Sequence, residues 1–210
     1  MGAPYTEADR SSRGFIALTE SASTPRLRAT FAIYLALVAA SAVIGPDSVS
    51  ETWYYLSGVA GFLCVAFACL GRLWTSVFIA GHKDVDLVTT GPYARCRHPL
   101  YASSMVGALG LGLTTRSVLL CMIVVVLIAA LVIYAAACEE QFLADTFPGA
   151  FQAYVAATPN KWWPRSAASQ LPDHLDVRPL IYWKAFLDAA SFFLLYLLVD
   201  LATAYRLGPA

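Results

Sequence analysis

Charge is scarce in this chain. Asp, Glu, Lys and Arg make up 13% of its 210 residues, and 14 basic side chains balance 14 acidic ones. There is no long run of one sign, which argues against a basic face for nucleic acid and against a charged disordered tail. Clustered metal ligands are missing as well. The five cysteines (Cys64, Cys69, Cys96, Cys121, Cys138) include no C-x-x-C pair, and the three histidines stand far apart, so neither a disulfide framework nor a zinc site is indicated. Four of these cysteines sit inside apolar runs and read as small buried hydrophobes. No apolar stretch of signal-peptide length precedes Leu27, and the polar residues 1–26 read as a flexible cytoplasmic lead.

Apolar residues are abundant. At 59% hydrophobic and a mean hydropathy of +0.62, the chain is too apolar to hide its surface in one soluble core, and it belongs in a bilayer. A first span runs from about Leu27 to Ile44 and ends at Gly45-Pro46-Asp47, a second from about Trp53 to Ala80. Leu100 to Leu113 is apolar but short, and Thr114-Thr115-Arg116 turns it back into the full crossing Ser117 to Ala137, so the two predict a helical hairpin. Small residues at Gly107, Gly110 and Gly112 suit close helix packing, with no strand before them to make a dinucleotide fingerprint. Arg72, late in the second span, either snorkels to the interface or faces a polar cavity. A last span, about Tyr182 to Ala202, carries Asp188 and Asp200 near its ends. The expectation is an all-α polytopic membrane bundle of about five transmembrane helices. Residues 27–80 hold helices 1 and 2, residues 81–164 a core with the hairpin, and residues 165–210 a loop and the last helix.

Lys and Arg alternate between the loops. Arg10, Arg13, Arg26 and Arg28 precede the first span. Lys83, Arg95 and Arg97 lie after the second, and Lys161, Arg165, Arg178 and Lys184 before the last. The 45–52 loop has none and the hairpin tip only Arg116. The positive-inside rule then places the basic segments and the N-terminus in the cytoplasm, and the C-terminus outside.

One polar stretch interrupts the apolar runs, Thr89-Thr90-Gly91-Pro92-Tyr93-Ala94-Arg95-Cys96-Arg97-His98-Pro99-Leu100-Tyr101. Gly91-Pro92 stops one element, and Pro99 disfavours helix at His98 while suiting the first turn of the next. Arg97 and His98 then stand beside a helix N-terminus, where free N–H groups favour an anion. Further on, Leu143, Phe147, Phe151 and Tyr154 recur at helical spacing around Pro148-Gly149, which predicts a break before a short amphipathic helix. Trp162-Trp163 fits an interfacial anchor or packing against the bundle.

Gly91-Pro92-Tyr93, then Arg97-His98-Pro99-x-Tyr101, then Glu139-Glu140-x-x-Leu143 and an aromatic tail ending at Pro164 resemble the isoprenylcysteine carboxyl methyltransferases and their phospholipid N-methyltransferase relatives, over roughly residues 70 to 164. The resemblance implies a cytoplasmic pocket for S-adenosyl-L-methionine built from Tyr93, Arg97, His98, Pro99, Leu100, Tyr101, Glu139 and Glu140, with Arg97 and Glu139 closest to the chemistry. Arg97 and His98 would meet the cofactor carboxylate, Glu139 or Glu140 the ribose hydroxyls or the ammonium, and the two tyrosines an adenine or sulfonium edge. The implied acceptor is a lipid or a prenylated molecule or protein. Carboxyl O-methylation of an isoprenylcysteine-type substrate comes first, phospholipid amine N-methylation second. Membrane sterol reductases share the R-H-P-x-Y-like segment and bind NADPH there, a third option that needs more cations than this face carries. Two positions depart from the pattern. Tyr134 to Cys138 supplies no arginine before the acidic pair, and Val85 stands where many relatives have histidine.

Overall fold

The computed structural model describes residues 28–44, 46–47, 50–80, 86–164, 174–175 and 177–207, excluding the side chains of residues 206 and 207. The N-terminal lead with Arg10, Arg13 and Arg26, together with Lys83, Val85 and Arg165, lies outside these residues. Every regular element described is helical: α1 (Arg28–Ile44), α2 (Glu51–Ile79), α3 (Pro99–Thr114), α4 (Val118–Thr146), α5 (Ala150–Ala157) and α6 (Pro179–Leu207), with a short 3-10 turn at Gly91–Ala94.

Length and hydropathy separate these helices. Among the described residues, α2, α4 and α6 are long and apolar enough to cross a bilayer. At 1.5 Å per residue, α1 and α3 reach only about 25 Å, short of the roughly 30 Å hydrocarbon layer unless the bilayer thins. The outward face of α4 carries Leu119, Met122, Ile123 and Val126, each about half exposed, which is the surface a lipid solvent requires. The chain is therefore a multi-pass membrane protein.

The closest helix pair is α2 with α3, and glycine sets its distance. A Cβ on Gly110 would stand 2.8 Å from the Gly61 carbonyl oxygen, and one on Gly61 would stand 2.8 Å from that of Gly110. No larger residue fits on either side of this contact. Val65, Ala108, Leu111, Val124 and Ile128 fill the layer around it, all but removed from the surface.

Polar contacts fix the two ends of the bundle. At one end the hairpin tip closes through Arg116, held at φ 56 by its N–H to the Leu113 carbonyl (3.0 Å). Its guanidinium donates to the Thr114 carbonyl (2.8 Å) and to Asp200 (2.7 Å), and it lies 4.2 Å over the Tyr54 ring. Beside it, Asp47 accepts from the Val118 N–H (2.9 Å) and the Ser117 hydroxyl (3.2 Å), capping α4. At the other end, the Arg178 N–H reaches the Ala80 carbonyl (3.3 Å), tying the start of α6 to the end of α2. Arg97 and Lys161, read as belonging to one side, share this second end.

The helix that begins with the Ser117 to Ala137 crossing runs on unbroken to Thr146 and breaks at Pro148-Gly149, as the stripe of apolar residues predicts, so the acidic pair stands on the last turns of α4. Arg72 does not snorkel; it turns inward, bound to Asp188 of α6 and Ser104 of α3.

Candidate functional site

The elbow takes its form from its two prolines and one glycine. Gly91 adopts φ 59 with the Phe78 ring against its α-carbon, where any side chain would collide. Pro92 opens the 3-10 turn, and its carbonyl accepts from the Arg95 N–H (3.1 Å). His98 then caps α3, with Pro99 in the first helical turn.

Backbone bonds dock this elbow on the segment after α5. The Arg97 N–H donates to the Asn160 carbonyl and the His98 N–H to that of Lys161, both at 3.0 Å. The Tyr154 hydroxyl donates to the Tyr93 carbonyl at 2.8 Å, so α5 closes over the 3-10 turn. Gly149, at φ 83, makes the turn that lets α5 fold back after α4.

Three side-chain donors converge on Glu140. One of its carboxylate oxygens accepts from Arg97 Nε (2.9 Å) and His98 Nε2 (3.0 Å), the other from Lys161 Nζ (2.9 Å). Arg97 Nη1 also donates to the carbonyls of Thr158 (3.0 Å) and Pro159 (3.1 Å). Among the described residues, Nη2 is the edge of that guanidinium with no bond assigned, and it is left for a ligand. The His98 ring lies between Tyr101 (centroids 5.6 Å apart) and Trp162 (5.5 Å) and is almost wholly buried. Burial lowers the His98 pKa below its ordinary value against the pull of Glu140, so the ring is neutral near pH 7 and donates through Nε2.

A cavity of about 100 Å³ opens beside this cluster, bounded by the end of α2, residues 86–88, the elbow, the last turns of α4 and α5. Tyr93, Arg97, His98, Leu100, Tyr101, Glu139 and Glu140 all line it. Pro99 does not; it is buried behind them as the first residue of α3. The adjacent glutamates have different surroundings. Glu140 is tied to Arg97, His98 and Lys161, whereas Glu139 lines the cavity and forms no ion pair among the described residues. Burial pushes the Tyr93 phenol well above its ordinary pKa and the Cys96 thiol up to about 11, so both remain protonated. Neither supplies a nucleophile.

Several lining residues were not singled out as site residues from the sequence. Asp86, Leu87 and Val88 carry no motif, and Ile79 is indistinguishable from the rest of an apolar span. Leu143, Phe151 and Tyr154 were legible as a helical stripe and turn out to wall the cavity. Lys161 was counted only as an orientation charge; its place against Glu140 has no local signal.

A multi-pass helix bundle with a polar pocket at one end is thus the class of protein that fold and site define. Residues 59–150 match the phospholipid methyltransferase family, which bears out the resemblance read from the elbow and the acidic pair over that stretch. Among curated proteins, the chain is 36% identical over 128 residues to the nickel-cobalt-cadmium resistance protein NccN of Alcaligenes xylosoxydans xylosoxydans, covering 60% of each chain. It is 38% identical over 128 residues to the cobalt-zinc-cadmium resistance protein CzcN of Cupriavidus metallidurans, covering 60% of this chain and 59% of that one. The chain spans about three-fifths of the length of these relatives. No solved structure matches it. Among the described residues, no group of three or more His, Cys, Asp or Glu is placed to hold a metal ion.

Proposed function

We propose that this protein is an integral membrane methyltransferase that uses S-adenosyl-L-methionine to methylate a lipid-like acceptor at the cytoplasmic interface. The observation that carries the reading is the meeting, in one cavity, of an uncommitted carboxylate, an arginine edge and aromatic walls drawn from segments more than forty residues apart.

The donor set fits the cofactor. Glu139 suits the ribose hydroxyls or the ammonium, the Nη2 edge of Arg97 the carboxylate, and Tyr93, Tyr101 and Phe151 the faces of an adenine. A volume of about 100 Å³ takes one end of such a molecule and leaves the rest along the open side. When bound, the cofactor supplies a methyl group already activated by its sulfonium. The chain's part is to hold donor and acceptor in line and to keep water out. Glu140, which holds Arg97 and His98, positions both beside the ligand. The alternation of basic and uncharged loops supports a cytoplasmic pocket.

The acceptor chemistries differ in what the site must offer. An isoprenylcysteine carboxylate is nucleophilic as it stands and needs a cation nearby; a phospholipid amine needs an anion or base. Arg72, a cation considered for a carboxylate, is already neutralised by Asp188, and Arg95 points to the surface. This favours an amine. The reductase alternative fares worse, because Lys161 is bound to Glu140 and Arg97 keeps a single edge, too few cations for the cofactor phosphates.

Incubation of the protein with methyl-labelled S-adenosylmethionine and either a farnesylcysteine analogue or phosphatidylethanolamine tests the reading. Label in a base-stable product is expected from the amine, and label in a base-labile ester identifies the carboxylate. No transfer to any lipid, with NADPH binding instead, overturns it.

A further inference from the structure

A second and larger cavity, about 320 Å³, lies deeper in the bundle, bounded by α1, α2, α3, α4 and α6. Its polar centre is Arg72, which donates to the Asp188 carboxylate through Nη2 and to the Ser104 hydroxyl through Nη1, with Phe192 lying 5.4 Å from the guanidinium carbon. Arg72 Nε is buried and has no hydrogen-bond partner among the described residues. Asp188 keeps 40% of its side chain exposed, so its carboxylate is not enclosed by the pair. The remaining wall is largely apolar, and nearly half of it comes from α1 and α6, outside the residues that match the family.

An ion pair in an apolar bundle is costly, and one that lines an open volume with a donor unused marks a polar ligand. The charges decide the class of that ligand. A head bearing only an anion must draw Arg72 away and strand Asp188, while a head bearing only a cation strands Arg72. A dipolar head satisfies both, placing an accepting oxygen against Arg72 and a protic cation against Asp188. Ile128, Val132 and Leu195 then offer an apolar channel to a tail.

We propose that this cavity binds an amphiphile with a dipolar head, held between Arg72 and Asp188, and that α1 and α6 provide its selectivity. Leu100 and Tyr101 face both cavities, so the head lies next to the elbow pocket. That the bound amphiphile is the methyl acceptor rests on the function proposed above; the binding site itself does not.

The test uses the full chain in dodecyl maltoside and three probes with the same tail: dodecylphosphoethanolamine, dodecyl phosphate and dodecylamine. Isothermal titration is expected to show the dipolar probe binding at least tenfold more tightly than either singly charged one. Asp188→Asn weakens it at least tenfold. Because that change leaves Arg72 unpaired and threatens the fold, the double variant Arg72→Met/Asp188→Leu provides a second arm. It is expected to lose the dipolar preference while still binding S-adenosylhomocysteine. Equal binding of all three probes to the wild type, or a preference that survives in the double variant, overturns the proposal. If the preference is present and lost as expected while the wild type binds no S-adenosylhomocysteine, the site stands and the methyltransferase reading falls.

Discussion

The Arg97 guanidinium and the Glu140 carboxylate meet at 2.9 Å across 43 residues of sequence, and this pair joins the elbow to the end of α4. Its neighbour Glu139, one position earlier on the same helix, lines the same cavity with no ion pair among the described residues. In the proposed reading these adjacent glutamates divide into a positioning residue, Glu140, and a ligand-binding one, Glu139.

Substitution should separate these roles. Glu139→Gln is expected to weaken S-adenosylhomocysteine binding about tenfold, the loss of one charge-assisted contact of roughly 1.5 kcal/mol, with the unfolding midpoint unchanged. Glu140→Gln leaves Arg97 and Lys161 without their anion and is expected to lower stability by on the order of 2 kcal/mol as well as binding. Thermal unfolding followed beside titration reads both. Equal effects of the two substitutions on stability would contradict the division.

The His98 pKa carries a pH dependence of definite sign. Burial depresses it in the fold, so the unfolded chain takes up this proton first as pH falls. Stability from the neutral ring is fully present above the ordinary histidine value of about 6.5 and is lost as pH falls through it towards the lower folded value. Unfolding midpoints at pH 8 and pH 5 should therefore fall further for the wild type than for His98→Gln. Parallel curves would remove His98 as the source.

Helix α3 is predicted to tolerate no side chain at Gly110. A Cβ 2.8 Å from the Gly61 carbonyl oxygen forces α2 and α3 apart, and Gly110→Val should cost about 1–3 kcal/mol. Gly149→Ala meets no atom within 4 Å and is penalised only by its φ of 83, so its cost should be roughly 1 kcal/mol. Unfolding in detergent ranks the two.

Removing Arg116 should loosen the far end of the bundle without touching the elbow. Arg116→Ala breaks the contacts to Asp200, the Thr114 carbonyl and the Tyr54 ring, an expected loss on the order of 3 kcal/mol. Affinity for S-adenosylhomocysteine, measured below the unfolding midpoint, should stay within about twofold.

Much of this was legible in the sequence because it is local. Apolar runs placed the long helices within a few residues, except that α4 outlasts its apolar stretch. Pro99 and Pro148-Gly149 marked where helices start and break. What could not be read depends on pairings distant in the chain. Which glutamate takes up Arg97, His98 and Lys161 is settled by the docking of the elbow and Lys161 on the end of α4, and adjacent residues on a helix differ only by about 100° of rotation. Arg72 left two readings open because its partner Asp188 is 116 residues away, on a helix that carries no motif.

The account stands or falls on cofactor binding at the elbow. Isothermal titration of the purified full chain with S-adenosylhomocysteine is predicted to give saturable one-site binding that Glu139→Gln weakens about tenfold and NADPH does not displace. Absence of binding to the wild type, or equal affinity in the Glu139→Gln variant, would contradict it.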